Sequence, residues 1–167
     1  INAIAGFAPI VVVDSHSTDK TRKIAKDLGV QIHEFKWNGD YPKKRQWILD
    51  NVPMAHDWVL FLDADERLPQ KLKNELAALF KKGPDKDGYF IKSLYKIDDH
   101  VCRYGMRNNK LCLFNMRKIA FPVVDDLACS GMGEIEGHYQ PVSKEPFDEI
   151  RIGRLKHPVV HLGLNDH

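Results

Sequence analysis

The sequence contains little cysteine and no long apolar run. Its 167 residues include three cysteines, Cys102, Cys112 and Cys129, and none of them stands in the Cys-x-x-Cys spacing of structural metal sites. An odd number of thiols in a chain of this length excludes a disulfide scaffold, so we expect a reduced, cytoplasmic setting. No segment approaches the roughly 20 apolar residues of a membrane-spanning helix.

An excess of charge of one sign is also absent, because the formal net charge is only +2. A balance this even excludes the broad positive field of a nucleic-acid-binding protein, so we expect no nucleic-acid partner. One short basic run, Lys43-Lys44-Arg45, remains as a candidate phosphate contact. Repeats, linkers and low-complexity runs are missing as well, and residues 1–167 are interpreted as a single domain.

Strands and helices alternate along the first half of the chain. Continuous apolar runs and amphipathic spacing predict strands over Ile10–Val13, Val30–Phe35 and Trp58–Leu62, and helices over Ser17–Leu28, Lys43–Asn51 and from Pro69 to the Gly83-Pro84 stop. This alternation is typical of an α/β fold with a mostly parallel sheet and right-handed crossovers. Beyond Gly88 the pattern changes to shorter, mixed strands such as Tyr89–Leu94 and Leu111–Phe114.

Two carboxylates, one residue apart, follow the third predicted strand. Asp63 and Asp65 therefore stand at the carboxyl edge of a sheet, where open α/β folds bind their ligands. Residues i and i+2 of an extended chain share a face, so both side chains can converge on one divalent cation unless the turn splays them. The structural alternative is an acidic turn that caps the helix opened by Pro69.

A second motif points in the same direction. The turn after the first strand reads Val13-Asp14-Ser15-His16-Ser17-Thr18-Asp19, and together with Asp63-Ala64-Asp65 it resembles the inverting family 2 glycosyltransferases. The resemblance is strong from Ile10 to Leu68 and looser beyond. It implies the GT-A fold, a Rossmann-like, mostly parallel sheet flanked by helices, with a mixed-strand, variable carboxyl-terminal half.

The resemblance also implies a strand ahead of the first residue. The chain begins without Met, in Ile1–Val13, a segment that reads as the end of a helix followed by a strand. We therefore expect that further residues precede Ile1 in the native protein and that the domain lacks its first strand here.

The resemblance implies a nucleotide site around the first turn. Asp14 would contact the base or ribose, and Lys44 and Arg45 would face the nucleotide from the helix before the metal strand. The structural alternatives are a helix cap for Asp14, which Ser17 can also supply, and a solvated helix face for the two basic residues. Relatives often carry a second Asp where this chain has Ser15, so the identity of the base stays open.

The resemblance implies a divalent cation, Mn²⁺ or Mg²⁺, on the donor diphosphate. Asp65, assisted by Asp63, would hold this cation, which neutralises charge on the leaving group. A late histidine returns to the metal in relatives, and His161 at the end of a short apolar run matches it, with His157 as the nearby competitor. Glu66 is interpreted as favouring the positive end of the following helix.

An inverting transfer needs one general base to deprotonate the acceptor hydroxyl. The resemblance implies an acidic residue for this role in the variable half. Glu134 is the first candidate and Glu136 the second, while the pair Asp125 and Asp126 stays open as a third.

The predicted function is an inverting, metal-dependent glycosyltransferase of the hexosyltransferase type. Its expected substrates are a nucleoside-diphosphate sugar donor and a saccharide or lipid-linked acceptor. The resemblance implies polysaccharide biosynthesis for the bacterial cell envelope, with peripheral association at the inner face of the membrane. Two alternatives stay open: a metal-dependent nucleotidyltransferase, although the Gly-rich phosphate loop of that class is missing, and a non-catalytic nucleotide-binding fragment.

Overall fold

The computed structural model describes residues 1–2, 4–97, 100–102, 108–129, 133–136, 139–146 and 149–162. The chain forms two compact units. The first consists of Ile1–Ala55 and Ala120–Val142, and the second of His56–Ile119 and Ser143–His167.

The first unit begins with a strand, helix, strand, helix succession, as predicted. The elements are β1 (Val11–Asp14), α1 (Thr21–Asp27), β2 (Gln31–Glu34) and α2 (Lys44–Asn51). β1 and β2 pair in parallel, from Val11 opposite Gln31 to Asp14 opposite Glu34. β1 and β2 form a two-stranded sheet in the described residues, and Val11–Val13 are only half-buried.

The segment before β1 contains turns where the sequence predicted the end of a helix. The Ala5 N–H donates to the Ile1 carbonyl at 3.1 Å, which is one α-type turn, and the Phe7 N–H donates to the Ile4 carbonyl at 3.1 Å. Gly6 has a φ of +73° and ends this turn before Pro9, whose missing N–H cannot extend a helix.

Helix α1 begins four residues later than predicted, at Thr21 instead of Ser17. The Ser17 N–H donates to Asp14 Oδ2 at 3.1 Å, so Ser17 belongs to the turn that follows β1. Asp19 Oδ1 accepts the Thr21 N–H at 2.8 Å and satisfies one of the free donors at the start of the helix. Gly29, with a φ of +67°, follows the C-cap residue Leu28 and ends helix α1 where the sequence predicted.

A buried ion pair joins the two chain segments of the first unit. Lys43 is 0% exposed and Asp126 is 4% exposed, and Lys43 Nζ donates to Asp126 Oδ2 at 2.6 Å. The hydroxyls of Tyr139 and Tyr41 also contact the Asp126 carboxylate. The Lys43 ammonium, helped by these hydroxyls, lowers the pKa of Asp126 to about 2. Because Lys43 is buried and paired with Asp126, it is not available to contact a phosphate.

Asp126→Asn should strongly destabilise the protein, because a buried ammonium loses its counter-ion; we expect the melting temperature to fall on the order of 10 °C. The carboxylate has a lowered pKa in the folded state, so its stabilisation is complete above the ordinary value of 3.8 and is lost as pH falls through about 2. Denaturation midpoints measured from pH 4 to pH 2 test this expectation. The difference in stability between wild type and Asp126→Asn should become smaller as the pH falls. Asp125→Asn, which alters the exposed neighbouring residue, is the control. An equal fall in melting temperature in this variant would contradict the prediction.

The second unit is built on a sheet of seven strands and a helix of 13 residues. The elements from β3 onward are β3 (Trp58–Leu60), β4 (Glu66–Arg67), α3 (Gln70–Lys82), β5 (Gly88–Ile97), β6 (His100–Val101), β7 (Asn108–Asn115), β8 (Ile119–Ala120), β9 (Val142–Ser143), β10 (Ile152–Arg154) and β11 (Val159–Leu162). All lie in the second unit except Ala120 of β8 and Val142 of β9, which belong to the first. β8 and β9, which form a short pair, include the residues at which the chain passes between the units.

The main sheet has the order β3, β7, β5, β11, β4. β5 is its centre: it pairs in parallel with β10 and β11 and antiparallel with β6 and β7. β3 pairs antiparallel with β7, and β4 pairs antiparallel with β11. The α/β fold class is thus confirmed, and so is the predicted change to mixed strands beyond Gly88.

Helix α3 contributes the apolar face that the sequence predicted. Leu72 and Leu76 are buried, as their i, i+4 spacing requires. Phe80 is partly exposed, and its ring meets Trp58 of β3 edge to face at 5.5 Å. Among the residues that the structure describes, no helix combines the length and the apolar character needed to cross a lipid bilayer.

Candidate functional site

The Asp-x-Asp motif lies in a tight turn between β3 and β4. The Glu66 N–H donates to the Asp63 carbonyl at 2.9 Å, and the Asp63 N–H donates to Glu66 Oε2 at 3.0 Å. The chain is therefore not extended here, and the turn directs the two aspartates to different partners. Asp63 meets Lys110, while Asp65 meets His161.

Asp65 and His161 form one candidate pair of metal ligands. The distance between Asp65 Oδ2 and His161 Nε2 is 3.3 Å, and the side chains are 52% and 23% exposed. β11 brings the histidine there by pairing with β4, and the Leu162 N–H donates to the Asp65 carbonyl at 2.8 Å. The Tyr95 ring packs edge-on against the imidazole at 4.8 Å, which restricts the orientation of the ring.

Asp63 is held by a residue that the sequence analysis missed. Lys110 Nζ on β7 donates to Asp63 Oδ2 at 2.5 Å and to Glu66 Oε1 at 2.8 Å. Burial disfavours the ammonium, but the two carboxylates outweigh it and raise the pKa of Lys110. No spacing in the sequence relates residue 110 to residue 63, since the contact depends on the pairing of β7 between β3 and β5.

Glu66 has a different role from the predicted one. Its carboxylate is buried and accepts hydrogen bonds from the Asp63 N–H, from Lys110 and, at 3.5 Å, from the Ser93 hydroxyl. These contacts stabilise the turn that contains the Asp-x-Asp motif. The Glu66 carboxylate therefore binds groups of the turn and of the sheet, and the predicted interaction with the N-terminus of helix α3 is not its role.

The donor set fits a divalent cation only in part. Asp65 supplies exposed carboxylate oxygens and His161 an imidazole nitrogen, both suitable for Mn²⁺. In the described ranges, no three or more His, Cys, Asp or Glu side chains are grouped so that they could hold a metal ion. A cation on Asp65 and His161 would therefore depend on ligands from a substrate.

Three polar side chains of the first unit form the Ser15 cluster, which consists of Ser15, Lys44 and Glu134. The Ser15 hydroxyl donates to Glu134 Oε1 at 2.7 Å and accepts from Lys44 Nζ at 2.8 Å. Lys44 Nζ also lies 3.6 Å from Glu134 Oε1, and the Lys44 N–H donates to the Glu134 carbonyl at 2.7 Å. The Glu134 side chain is 32% exposed and the Lys44 side chain 19%, so both retain access to a ligand.

Asp14 is the last residue of β1 and directly precedes Ser15. Its side chain is 2% exposed, and Arg22 Nε lies 3.9 Å from its Oδ2 atom. Hydrogen bonding from Ser17 outweighs burial and, with the nearby cations of Arg22 and Lys44, lowers the pKa of Asp14. Burial of this carboxylate favours a role in shaping the turn over direct contact with a nucleotide. His16, two residues after Asp14, has a φ of +61°.

The other candidate bases differ sharply in their surroundings. Glu136 is 1% exposed, and its two oxygens accept the N–H groups of Arg45 and Gln46 at 2.9 and 2.8 Å, so it caps helix α2. Asp126 is engaged by Lys43, whereas Asp125 is exposed. Of the four acids, Glu134 alone is partly exposed and also contacts Ser15 and Lys44.

The two remaining sequence candidates have partners of their own. The Arg45 guanidinium lies over the Phe121 ring at 5.9 Å, and its Nη1 donates to the Glu136 carbonyl at 3.4 Å. His157 is directed to helix α3, where its Nδ1 lies 2.7 Å from Glu75 Oε2. His157 is thus paired with Glu75 while His161 is paired with Asp65.

Similarity to known proteins covers most of the chain. The family model described as "Glycosyl transferase family 2" matches residues 7–150. Proteins named uncharacterized glycosyltransferase from Rickettsia prowazekii (strain Madrid E) and Rickettsia typhi (strain ATCC VR-144 / Wilmington) are 34% and 33% identical over 127 residues, which is 72% of this chain and 42% of each relative. The SPbeta prophage-derived glycosyltransferase SunS of Bacillus subtilis (strain 168) is 36% identical over 73 residues, 42% of this chain and 17% of that protein. The chain therefore spans less than half the length of these relatives.

Proposed function

The chain belongs to glycosyl transferase family 2, and from that premise we propose that it transfers a sugar from a nucleoside-diphosphate donor, with inversion at the anomeric carbon. The acceptor is a saccharide or a lipid-linked saccharide, and the transferred group is a hexose. The observation that carries the proposal is the contact of Asp65 with His161 at 3.3 Å, directly after the motif strand.

The second unit would supply the cation. Asp65 and His161 are the residues that would hold Mn²⁺ or Mg²⁺, with Asp63 nearby in the same turn. When bound, such a cation neutralises charge that develops on a diphosphate leaving group. The exposed carboxylate of Asp65 leaves room for phosphate oxygens to complete the donor set, which supports this assignment.

The first unit would contribute an ammonium and a general base. Lys44 is a half-buried cation, suited to a phosphate or ribose oxygen of the donor. Glu134 would accept the proton of the acceptor hydroxyl during attack, and the Ser15 hydroxyl orients its Oε1 atom. Asp14 would hold the turn on which Ser15 stands.

Product analysis tests the reaction class. With a labelled nucleotide sugar and Mn²⁺, we expect release of a nucleoside diphosphate and label in a saccharide product. Release of pyrophosphate would instead indicate nucleotidyl transfer and contradict the proposal. The donor for this assay is chosen beforehand by measuring the thermal shift of the protein with a panel of nucleoside-diphosphate sugars.

His161→Ala should weaken Mn²⁺-dependent nucleotide binding by at least about tenfold, because one ligand of a small donor set is lost. His157→Ala is the matched control, since that imidazole is held by Glu75 and should leave cation binding unchanged. Calorimetric titration of nucleoside diphosphate with and without Mn²⁺ measures both. Equal losses in the two variants would remove His161 from the ligand set.

Family membership supports a proposal for the cellular role. We propose that the product is a polysaccharide or lipid-linked glycan of the bacterial cell envelope, made by an enzyme associated peripherally with the inner face of the membrane. Co-sedimentation with vesicles that carry a lipid-linked acceptor tests the association, and failure to bind them would restrict the acceptor to free saccharides.

A further inference from the structure

Lys110 is a charged group beside the Asp-x-Asp turn whose contacts the proposed reaction does not explain. Its side chain is 23% exposed and donates to two carboxylates, one partly exposed on Asp63 and one buried on Glu66. A nearby group, the Cys112 thiol two residues along β7, stays neutral because burial raises its pKa to about 12. Arg67 turns its guanidinium to the carbonyls of Ala64 and Glu66. Lys110 Nζ therefore contacts both the Asp63 and the Glu66 carboxylate.

The position of this ammonium restricts where a second cation can bind. A Mg²⁺ ion lies about 2.0–2.1 Å from its oxygen ligands. The Lys110 nitrogen already lies 2.5 Å from Asp63 Oδ2, so a metal on that oxygen would stand beside a positive charge at contact distance. Repulsion between such neighbours is strong in a partly buried site.

We propose that Lys110 is a positioning residue that occupies Asp63 and Glu66 and thereby confines the divalent cation to Asp65 and His161. The inference rests on the proposed cation role of Asp65. It assigns Asp63, which sequence reasoning treats as a metal ligand, to the ammonium. The consequence is a site with few protein ligands, which binds a cation weakly until a diphosphate adds its oxygens.

A purely structural role for Lys110 makes a different prediction. If the ammonium served only to neutralise the buried Glu66 carboxylate, its removal would lower stability without making the site a better ligand for metal. If it neutralises Asp63 as proposed, its removal takes a positive charge away from that carboxylate and strengthens the attraction of the site for a divalent cation. The affinity for metal alone, in the absence of nucleotide, separates the two.

The test is Lys110→Met, which keeps most of the apolar stem and removes the charge. Titration of Mn²⁺ without nucleotide, followed by the electron paramagnetic resonance signal of free Mn²⁺, should show affinity higher by about tenfold or more, because a carboxylate joins the ligands. Adding Asp63→Asn to Lys110→Met should abolish the gain. Unchanged or weaker binding in Lys110→Met would overturn the proposal.

Matched variants protect the test against instability and against general charge effects. Should the unpaired, buried Glu66 carboxylate unfold Lys110→Met, Glu66→Gln is compared with Glu66→Gln/Lys110→Met. The expectation is the same, since only the double variant removes the ammonium from Asp63. Lys81→Met removes an exposed lysine at the end of α3 and should change nothing. An equal gain in Lys81→Met would overturn the proposal.

The same titration separates this inference from the proposed function. Asp65→Ala should lose the wild-type Mn²⁺ affinity, and if it does not, the cation role of Asp65 fails. The gain on removing Lys110, and its reversal by Asp63→Asn, decide the role of Lys110 by themselves.

Discussion

Asp65→Ala should abolish cation-dependent nucleotide binding while leaving the fold intact. The side chain is 52% exposed and contacts His161, so it supplies a ligand but little packing. Substitutions at such positions usually change the free energy of unfolding by less than about 0.5 kcal/mol. Calorimetric titration with nucleoside diphosphate, with and without Mn²⁺, and thermal melting measure the two effects.

Glu145→Ala is the control for this variant, because it removes an exposed carboxylate of the same unit from a distant point of the chain. It should retain the full dependence on Mn²⁺. Equal Mn²⁺-dependent affinity in Asp65→Ala and wild type would remove Asp65 from the site and leave the metal-dependent mechanism without its principal residue.

Glu134→Gln should lower turnover by roughly 10²–10⁴ while donor affinity is largely kept, because an amide cannot take the proton of the acceptor hydroxyl. The substitution is a clean one at this position. The amide oxygen can still accept the Ser15 hydroxyl, which donates to Glu134 Oε1 at 2.7 Å, so the side chain should keep its orientation. Steady-state kinetics with varied donor separates turnover from donor binding.

The competing acids need controls that report on stability as well as on rate. Glu136→Gln replaces one of the two acceptor oxygens by an N–H₂ group that faces the N–H of either Arg45 or Gln46, and so it should lower the melting temperature through helix α2. Asp125→Asn alters an exposed side chain and should leave both quantities near wild type. If Glu134→Gln retained full turnover and Asp125→Asn lost it at unchanged stability, the assignment of the base to Glu134 would be wrong.

Local features of the fold were predictable from the sequence because they depend on neighbours along the chain. The spacing of Leu72 and Leu76 predicts a helix with one buried face, and α3 has that face. Gly29 and the Gly83-Pro84 stop end helices where predicted, because their backbone preferences act within a single turn. Family membership also followed from short motifs, since two motifs in the right order are far more specific than one.

The start of α1 shows the limit of this reasoning. Ser17, Thr18 and Asp19 are all good helix-capping residues, so the sequence alone places the start of the helix anywhere among them. The structure assigns the Ser17 N–H to Asp14 and the Thr21 N–H to Asp19. The choice depends on the buried Asp14 carboxylate, which a local pattern does not contain.

The sequence by itself determined which chemical groups this protein can use: an acidic motif after a strand, a basic run, a late histidine and several candidate bases. Only the tertiary structure decided their partners. In the structure, Lys43 and Asp126 form a buried ion pair and Glu136 caps helix α2. Glu134 is partly exposed, and Lys110 forms an ion pair with Asp63. The physical reason is that burial and ion pairing depend on residues brought together by strand pairing and chain crossing, whereas propensity and spacing act only over a few neighbouring residues.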